Sequence, residues 1–296
     1  MCKININTEL MSIKSAISAL GFILLINISA VAVTPSQVKF GDIANDTTEI
    51  TKILIENYNR EGHKPGELMV KLGENFIDVP YEAGTLDGIP EELTVNLQGM
   101  DCMSFVENVM ALAITLNERR SSWIDFVYNL ENIRYRNGNL NGYSSRLHYF
   151  SDWVVDNSHR GHIADVTARI ANPSYQVKTL EFMTANRDKY PALSDSIEFE
   201  KIKDAQVGYR SHRYPYIKST NVESAGIQPG DIIAVTTKIP GLDVSHVGIA
   251  VKVKGKIHLL HASSKEGKVC VSSLPLTEYL RRNRNATGIR VIRLTE

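Results

Sequence analysis

Three side chains of this 296-residue chain have the types and surroundings of a hydrolytic centre: Cys102, His246 and His261. Cys102 follows Asp101 at the head of a segment, 101–117, with strong helical character. Asp101 is a good N-cap, which sets Cys102 in the first helical turn. Unpaired backbone N–H groups and the helix dipole favour a negative sulfur there, and thiolates at helix N-termini have lowered pKa values. Cys102, Phe105, Val106, Val109 and Ala113 share one stripe, so the sulfur is expected to face whatever the helix packs on. In such a centre a thiolate attacks a carbonyl carbon, a histidine carries the proton to the leaving amine, and a third polar group orients that histidine. Backbone N–H groups at the helix start are placed to hold the oxyanion.

The histidines must come from strands. His246 lies in Asp243-Val244-Ser245-His246-Val247-Gly248-Ile249, where Val247, Ile249, Val251 and Val253 alternate on one face. His246 therefore takes the other face, with Gly248 and Ala250 leaving room beside it. His261 follows in Leu259-Leu260-His261-Ala262-Ser263, beyond a turn marked by Gly255. In an antiparallel pair the numbers of opposed residues sum to a constant, and a loop of even length makes that constant odd. The numbers 246 and 261 also sum to an odd value. The two imidazoles then share a face, opposite or diagonal, within about 5–8 Å. His258 points the other way, and a three-residue loop would reverse the assignment.

The remaining elements follow from periodicity and punctuation. Helices are expected over 47–59 (with Asp46 and Glu49 in a capping-box spacing), 101–117, 122–135, 144–157 and 174–187. Strands are expected over 231–236, after the turn signal Gln228-Pro229-Gly230, and over 245–254, 257–263, 268–273 and 289–294. Helices first and strands afterwards give an α+β class: N-terminal helices packed on an antiparallel sheet of about five strands. Residues 33–296 read as one domain with a helical insertion around 120–210. Lys3 and Lys14, an apolar stretch over 16–33 and the small-x-small Ala30-Val31-Ala32 read as a signal peptide over 1–32, the alternative being an uncleaved anchor. The protein is thus expected to be periplasmic or secreted, with no membrane association after cleavage. Lys plus Arg equals Asp plus Glu at 33 each, which argues against nucleic acid as a partner.

In this order, Asp101-Cys102, Ser245-His246-Val247-Gly248-Ile249 and Leu260-His261-Ala262-Ser263 resemble the NlpC-type papain-like cell-wall cysteine peptidases. Pro229-Gly230-Asp231-Ile232-Ile233 resembles the strand before that family's histidine, and Pro80-Tyr81 its tyrosine motif. Asp101-Cys102-Met103-Ser104-Phe105-Val106-Glu107 with Arg146-Leu147-His148-Tyr149-Phe150-Ser151-Asp152-Trp153 is similar to the N-acetylmuramoyl-L-alanine amidase-like branch. The resemblance implies a papain-like core, Cys102 as nucleophile, His246 as base and His261 as its orienting partner. It implies a peptidoglycan or muropeptide substrate contacted by Tyr81, with Asp101, Ser104, Glu107, Arg146, His148, Tyr149 and Ser245 as further candidate contacts. Relatives that read a free L-alanine amine carry serine directly after the cysteine. Met103 stands there instead, which points away from a γ-D-glutamyl-diamino-acid endopeptidase and toward an amidase cutting between muramic acid and L-alanine.

Plainer readings stand beside these. Cys102 and Cys270 in an exported protein could form a disulfide, leaving a glycopeptide-binding protein without catalysis. His246, His261 and Tyr81 could be core residues, Glu107 a solvated or structural carboxylate, and the Arg146–Tyr149 segment a capping element. Related folds also transfer acyl groups to lipid with the same triad. No metal or organic cofactor is expected: His159 and His162 lack an obvious third ligand.

Overall fold

The computed structural model describes residues 38–59 and 64–295, all within one compact unit. The expected signal peptide lies outside the described residues. In chain order the elements are β1 (Val38–Phe40), α1 (Ile43–Tyr58), α2 (Pro65–Glu74), β2 (Leu93–Val95), α3 (Cys102–Asn117), α4 (Trp123–Arg134), α5 (Phe150–His159), β3 (Ile163–Asp165), α6 (Thr167–Ile170), β4 (Ser174–Val177), α7 (Phe182–Ala185), α8 (Ser196–Gly208), β5 (Arg213–Lys218), β6 (Ile232–Thr237), β7 (Val244–Val253), β8 (Lys256–Ser263), β9 (Lys268–Val271), α9 (Leu276–Arg282) and β10 (Ala286–Leu294).

An antiparallel sheet of eight strands runs β4-β5-β10-β6-β7-β8-β9, with β3 also paired to β10. Its two faces carry different cores, as the alternation of β7 requires. Val247, Ile249 and Val251 pack with Leu260, Phe105, Val106 and Val109 under α3. Ala250 and Leu259 join Ile233, Val235, Leu276 and Leu280 under α9. Helix α3 is buried along nearly its whole length. A helix apolar all round has to be enclosed on every side, and α1, α2 and α4 lie on the same apolar core.

Two details of β7 set the site. It turns into β8 through Lys254 and Gly255, both at positive φ (47° and 83°), as a two-residue hairpin turn with the strand twist requires. That turn fixes the register Ile249↔Leu260, so an odd constant governs the pair. Against β6 the ladder shifts between Val235 and Thr236, where Val235 faces His246 and Thr236 faces Val244. Ser245 is the extra residue of this bulge, immediately before His246.

The insertion departs from expectation. Residues 174–187 form β4 and the single turn α7, not one helix, because Ser174–Val177 pair with Arg213–Tyr216 on β5. The helix expected over 144–157 begins at Phe150. Before it, Arg146 bridges to Tyr135 and the Leu147 N–H donates to the Arg134 carbonyl at 3.0 Å, which holds that stretch extended. Strands β3, β4 and β5 widen the sheet from the expected five to eight. Helix α1 starts a turn early under Asp42, which caps Asn45 N–H. Asp46, the expected cap, is instead buried and accepts from the N–H groups of Asp42 (3.0 Å) and Leu97 (3.2 Å).

Candidate active site

Cys102 is the first residue of α3. The Asp101 carboxylate accepts from Met103 N–H at 3.0 Å and Ser104 N–H at 2.7 Å, and the Asp101 N–H donates to Ser104 Oγ at 3.0 Å. This reciprocal capping box fixes where the helix starts and hence where the sulfur points. The sulfur lies beside β7, where the nearby backbone N–H groups of Val247, Cys102 and Met103 favour its charged form. Val247 directly follows His246, so the sulfur lies near the histidine-bearing segment of β7. The β7–β8 pairing runs only from Ile249 to Val253, so Val247 lies beyond it.

The pull of the helix start on this thiol's pKa is outweighed. Burial and the Asp101 carboxylate push it up to about 12, against the pull of the three N–H groups. The expectation of a resting thiolate is thereby corrected: at neutral pH the sulfur carries its proton. Cys102 and Cys270 are free thiols, so the alternative of a disulfide between them falls.

His246 Nε2 and His261 Nδ1 stand 2.6 Å apart, with the rings at 83° and their centroids 4.9 Å apart. The register makes them diagonal, with Gly248 across from His261. A Cβ on Gly248 would come 2.9 Å from His261 Cβ and 3.1 Å from the Leu260 carbonyl oxygen, so the imidazole occupies space that a larger residue would fill. Burial pushes His261 down to about 4. Burial and His261 push His246 down to about 3. Both rings are neutral at pH 7. The hydrogen bond consumes His246 Nε2 and leaves Nδ1 as its free nitrogen.

Tyr81 comes alongside. It bridges Met100, and its N–H donates to the Gly267 carbonyl at 2.8 Å. Burial and the nearby Cys102 and Asp101 raise its phenol pKa, which keeps it a donor. Ser245 is half-buried, and its Oγ is buried without a hydrogen-bond partner. A cleft of about 110 Å³ opens beside the histidines, lined by Ser263, Lys265, Glu266, Ser272 and Tyr279. Tyr279, on α9, packs against both imidazoles. Nothing in the local sequence marks it; only its spacing from Leu276 and Leu280 puts it on the packed side of that helix.

Other expected contacts are engaged inside the protein. The Ser104 hydroxyl belongs to the capping box. Glu107 is buried against Arg134, Oε2 to Nε at 2.6 Å, and Arg134 also donates to the Thr94 carbonyl. It therefore binds two helices together and is unavailable to a substrate. Arg146 pairs with Asp87 (2.9 Å) and Glu91 (3.1 Å), tying down the segment after Tyr81. His148 Nε2 donates to the Tyr143 carbonyl at 2.8 Å, and burial beside Arg146 keeps the ring neutral. The Tyr149 hydroxyl accepts from Met183 N–H and from Gln206 Nε2. Among the described residues no cluster of three or more His, Cys, Asp or Glu could hold a metal, and no helix is long and apolar enough to cross a membrane.

Residues 71–289 match the AmiA-like family, described as N-acetylmuramoyl-L-alanine amidase-like. An N-acetylmuramoyl-L-alanine amidase from Bacteroides uniformis is similar in structure, with a TM-score of 0.75, 38% identity, and cover of 79% of this chain and 100% of that one. A Bacteroides fragilis protein assigned provisionally as a xylanase has a TM-score of 0.71 and 40% identity, covering 76% of this chain and 100% of that one. A Legionella pneumophila protein shares the fold at 21% identity, with a TM-score of 0.66 and cover of 86% and 96%. No curated protein matches the sequence.

Proposed function

Because the chain belongs to the AmiA-like, N-acetylmuramoyl-L-alanine amidase-like family, we propose that it hydrolyses the amide between the muramic acid lactyl carbonyl and L-alanine, with Cys102 as nucleophile. One observation carries the cysteine assignment. The Val247 N–H is close enough to the Cys102 sulfur to favour its charged form, while the neighbouring His246 is hydrogen-bonded through Nε2 to His261. The ordering of a helix-borne cysteine before strand-borne histidines also fits a papain-like core.

The protonation states determine the mechanism. Thiol and imidazole are both neutral, so attack is general-base catalysis with no preformed ion pair. For His246 Nδ1 to accept a proton, Nε2 must carry hydrogen and donate to His261 Nδ1. His261 thereby holds the ring and stabilises the imidazolium as it forms. The thiol proton passes to His246 Nδ1 as sulfur bonds to the lactyl carbonyl carbon, and the carbonyl electrons move onto oxygen. The Cys102 N–H, without an intrahelical partner at the first helical position and beside the sulfur, supplies a donor to that oxyanion. Collapse of the adduct breaks the C–N bond, and His246 returns its proton to the leaving L-alanine amine. Water, deprotonated by the same imidazole, then cleaves the thioester and frees the muramic carboxylate and the thiol.

Glycoside hydrolysis, suggested by the name of the B. fragilis relative, needs a pair of carboxyl groups across the scissile bond. Here the carboxylate beside the nucleophile, Asp101, is spent on the helix cap. The same reading locates the protein outside the cytoplasm, where peptidoglycan lies, with residues 1–32 as the export signal. Tyr81, whose phenol lies near Cys102 and Asp101, contacts the substrate. Mass spectrometry of products from a defined muropeptide tests the bond. A peptide with a free L-alanine amine and an intact MurNAc sugar is expected. A sugar-linked dipeptide would make the enzyme a γ-D-glutamyl-diamino-acid endopeptidase instead.

A further inference from the structure

The two imidazoles are walled by a third ring from a distant part of the chain. Helix α9 is fixed to the sheet by Leu276 and Leu280, each 1% exposed, which pack with Val235, Ala250 and Leu259. Tyr279 lies on the same side of the helix. Its ring stands 6.3 Å from that of His246 at 33°, and 5.7 Å from that of His261 at 87°. The His261 ring is thus edge-on to both of the others, and the Tyr279 ring lies roughly parallel to that of His246. All these contacts are made by the ring, and Tyr279 also lines the cleft beside the pair.

We infer that Tyr279 is a positioning residue of the hydrolytic site: its ring holds His246 and His261 perpendicular and keeps water off the hydrogen bond between them. The inference rests on the reading of Cys102 and His246 as nucleophile and base. It follows from what the base needs. A neutral imidazole serves as base only while desolvation and a fixed partner keep it unprotonated and aimed. The strands supply the registration but leave the cleft side open, and α9 closes it with an aromatic face. The other groups around the pair do not substitute for it. Cys102 and Asp101 approach from α3, and Cys270 lies across from His261 on β9. Lys265 and Glu266 sit exposed, with opposite charges, at the rim of the cleft. Glu278, next to Tyr279, is paired with Arg281 and Arg282.

The test compares Tyr279→Phe, Tyr279→Leu and Tyr279→Ala with the parent. kcat and KM on a defined muropeptide are followed from pH 4.5 to 8, with thermal melts to verify folding and Cys102→Ala in parallel. Phe keeps the wall, so its kcat/KM stays within about twofold of the parent at every pH. Leu and Ala admit water, so kcat falls with KM little changed. The acid limb then moves up toward the ordinary imidazole value of 6.5, adding about a tenfold loss at pH 5.5 relative to pH 7.5. If Ala unfolds, Leu is read in the same way. A folded Ala or Leu variant with the parent's pH profile overturns the inference, whether or not its rate drops uniformly. So does a Phe variant as impaired as Ala. Turnover by Cys102→Ala would instead break the underlying hydrolase reading, whereas an inactive Cys102→Ala beside an unaffected Tyr279→Ala would break this inference alone.

Discussion

Lowering the pH from 7.5 to 5.0 should destabilise this protein through the paired histidines of the candidate site, His246 and His261. Folding holds His246 at about 3 and His261 at about 4, against about 6.5 in an unfolded chain. The unfolded chain therefore takes up protons first. The stability contributed by the neutral pair is complete above pH 6.5 and is lost progressively as pH falls through 6.5 toward the folded values. At pH 5 each unfolded imidazole is almost fully protonated while each folded one is almost fully neutral, which costs about 2 kcal/mol per ring and about 4 kcal/mol for the pair. The result hardly depends on the folded values, provided both stay below 5. For a domain of this size it corresponds to a fall of about 8–16 °C in Tm. Urea unfolding at the two pH values measures it. His148, His162 and His212 are also held below the ordinary value by burial and add to the parent's loss, so the informative quantity is a difference. In the double variant His246→Gln, His261→Gln the loss between pH 7.5 and 5.0 should be smaller than the parent's by about 4 kcal/mol. Equal losses in parent and variant would refute the claim that the pair is buried neutral.

Other consequences are equally concrete. Glu107→Met should cost about 3–5 kcal/mol by stranding the buried Arg134 charge, seen as a lower urea midpoint, while Glu107→Met with Arg134→Met recovers most of it and kcat of the folded protein is unchanged. A hundredfold loss of kcat without loss of stability would make Glu107 a substrate contact after all. Gly248→Ala, whose Cβ would press on His261 Cβ at 2.9 Å, should lower kcat at least tenfold with KM little changed; a parental kcat would show that the position of His261 does not matter. Asp101→Asn keeps the cap, since asparagine caps as well as aspartate, but removes the charge that raises the thiol pKa. Alkylation of Cys102 at pH 8, read by peptide mass spectrometry, should therefore quicken, and an unchanged or slower rate would contradict the electrostatic account.

Much of the site was legible because short-range rules decide it. Asp101 caps the helix that carries Cys102. The alternation of Val247, Ile249 and Val251, with the parity of a two-residue turn at Lys254-Gly255, brought the two histidines onto one face. What escaped depends on partners far away in the chain. Glu107 sits off the apolar stripe and reads as solvated, yet it is buried because Arg134, from the following helix, neutralises it. An α3 that is apolar nearly all round was the available signal, since a carboxylate on an enclosed helix needs a counter-charge. Residues 174–177 carry a strand's alternation, but they are strand only because Pro215 and its neighbours on β5 pair with them. The charge state of the thiol is hidden from the sequence for a related reason. The helix dipole is visible in the sequence, whereas burial of the sulfur is a tertiary fact, and here burial and Asp101 outweigh the dipole. Tyr279 shows the same limit, since its meeting with His246 and His261 exists only after α9 docks on the sheet.

Acid-quenched mass spectrometry during turnover of a MurNAc-peptide tests the central claim most directly. A transient adduct with the mass of a muramoyl acyl group is expected, mapping to Cys102 and absent from Cys102→Ala, alongside release of a peptide beginning with L-alanine. Undiminished hydrolysis by Cys102→Ala, or an adduct that maps to any other residue, would contradict it.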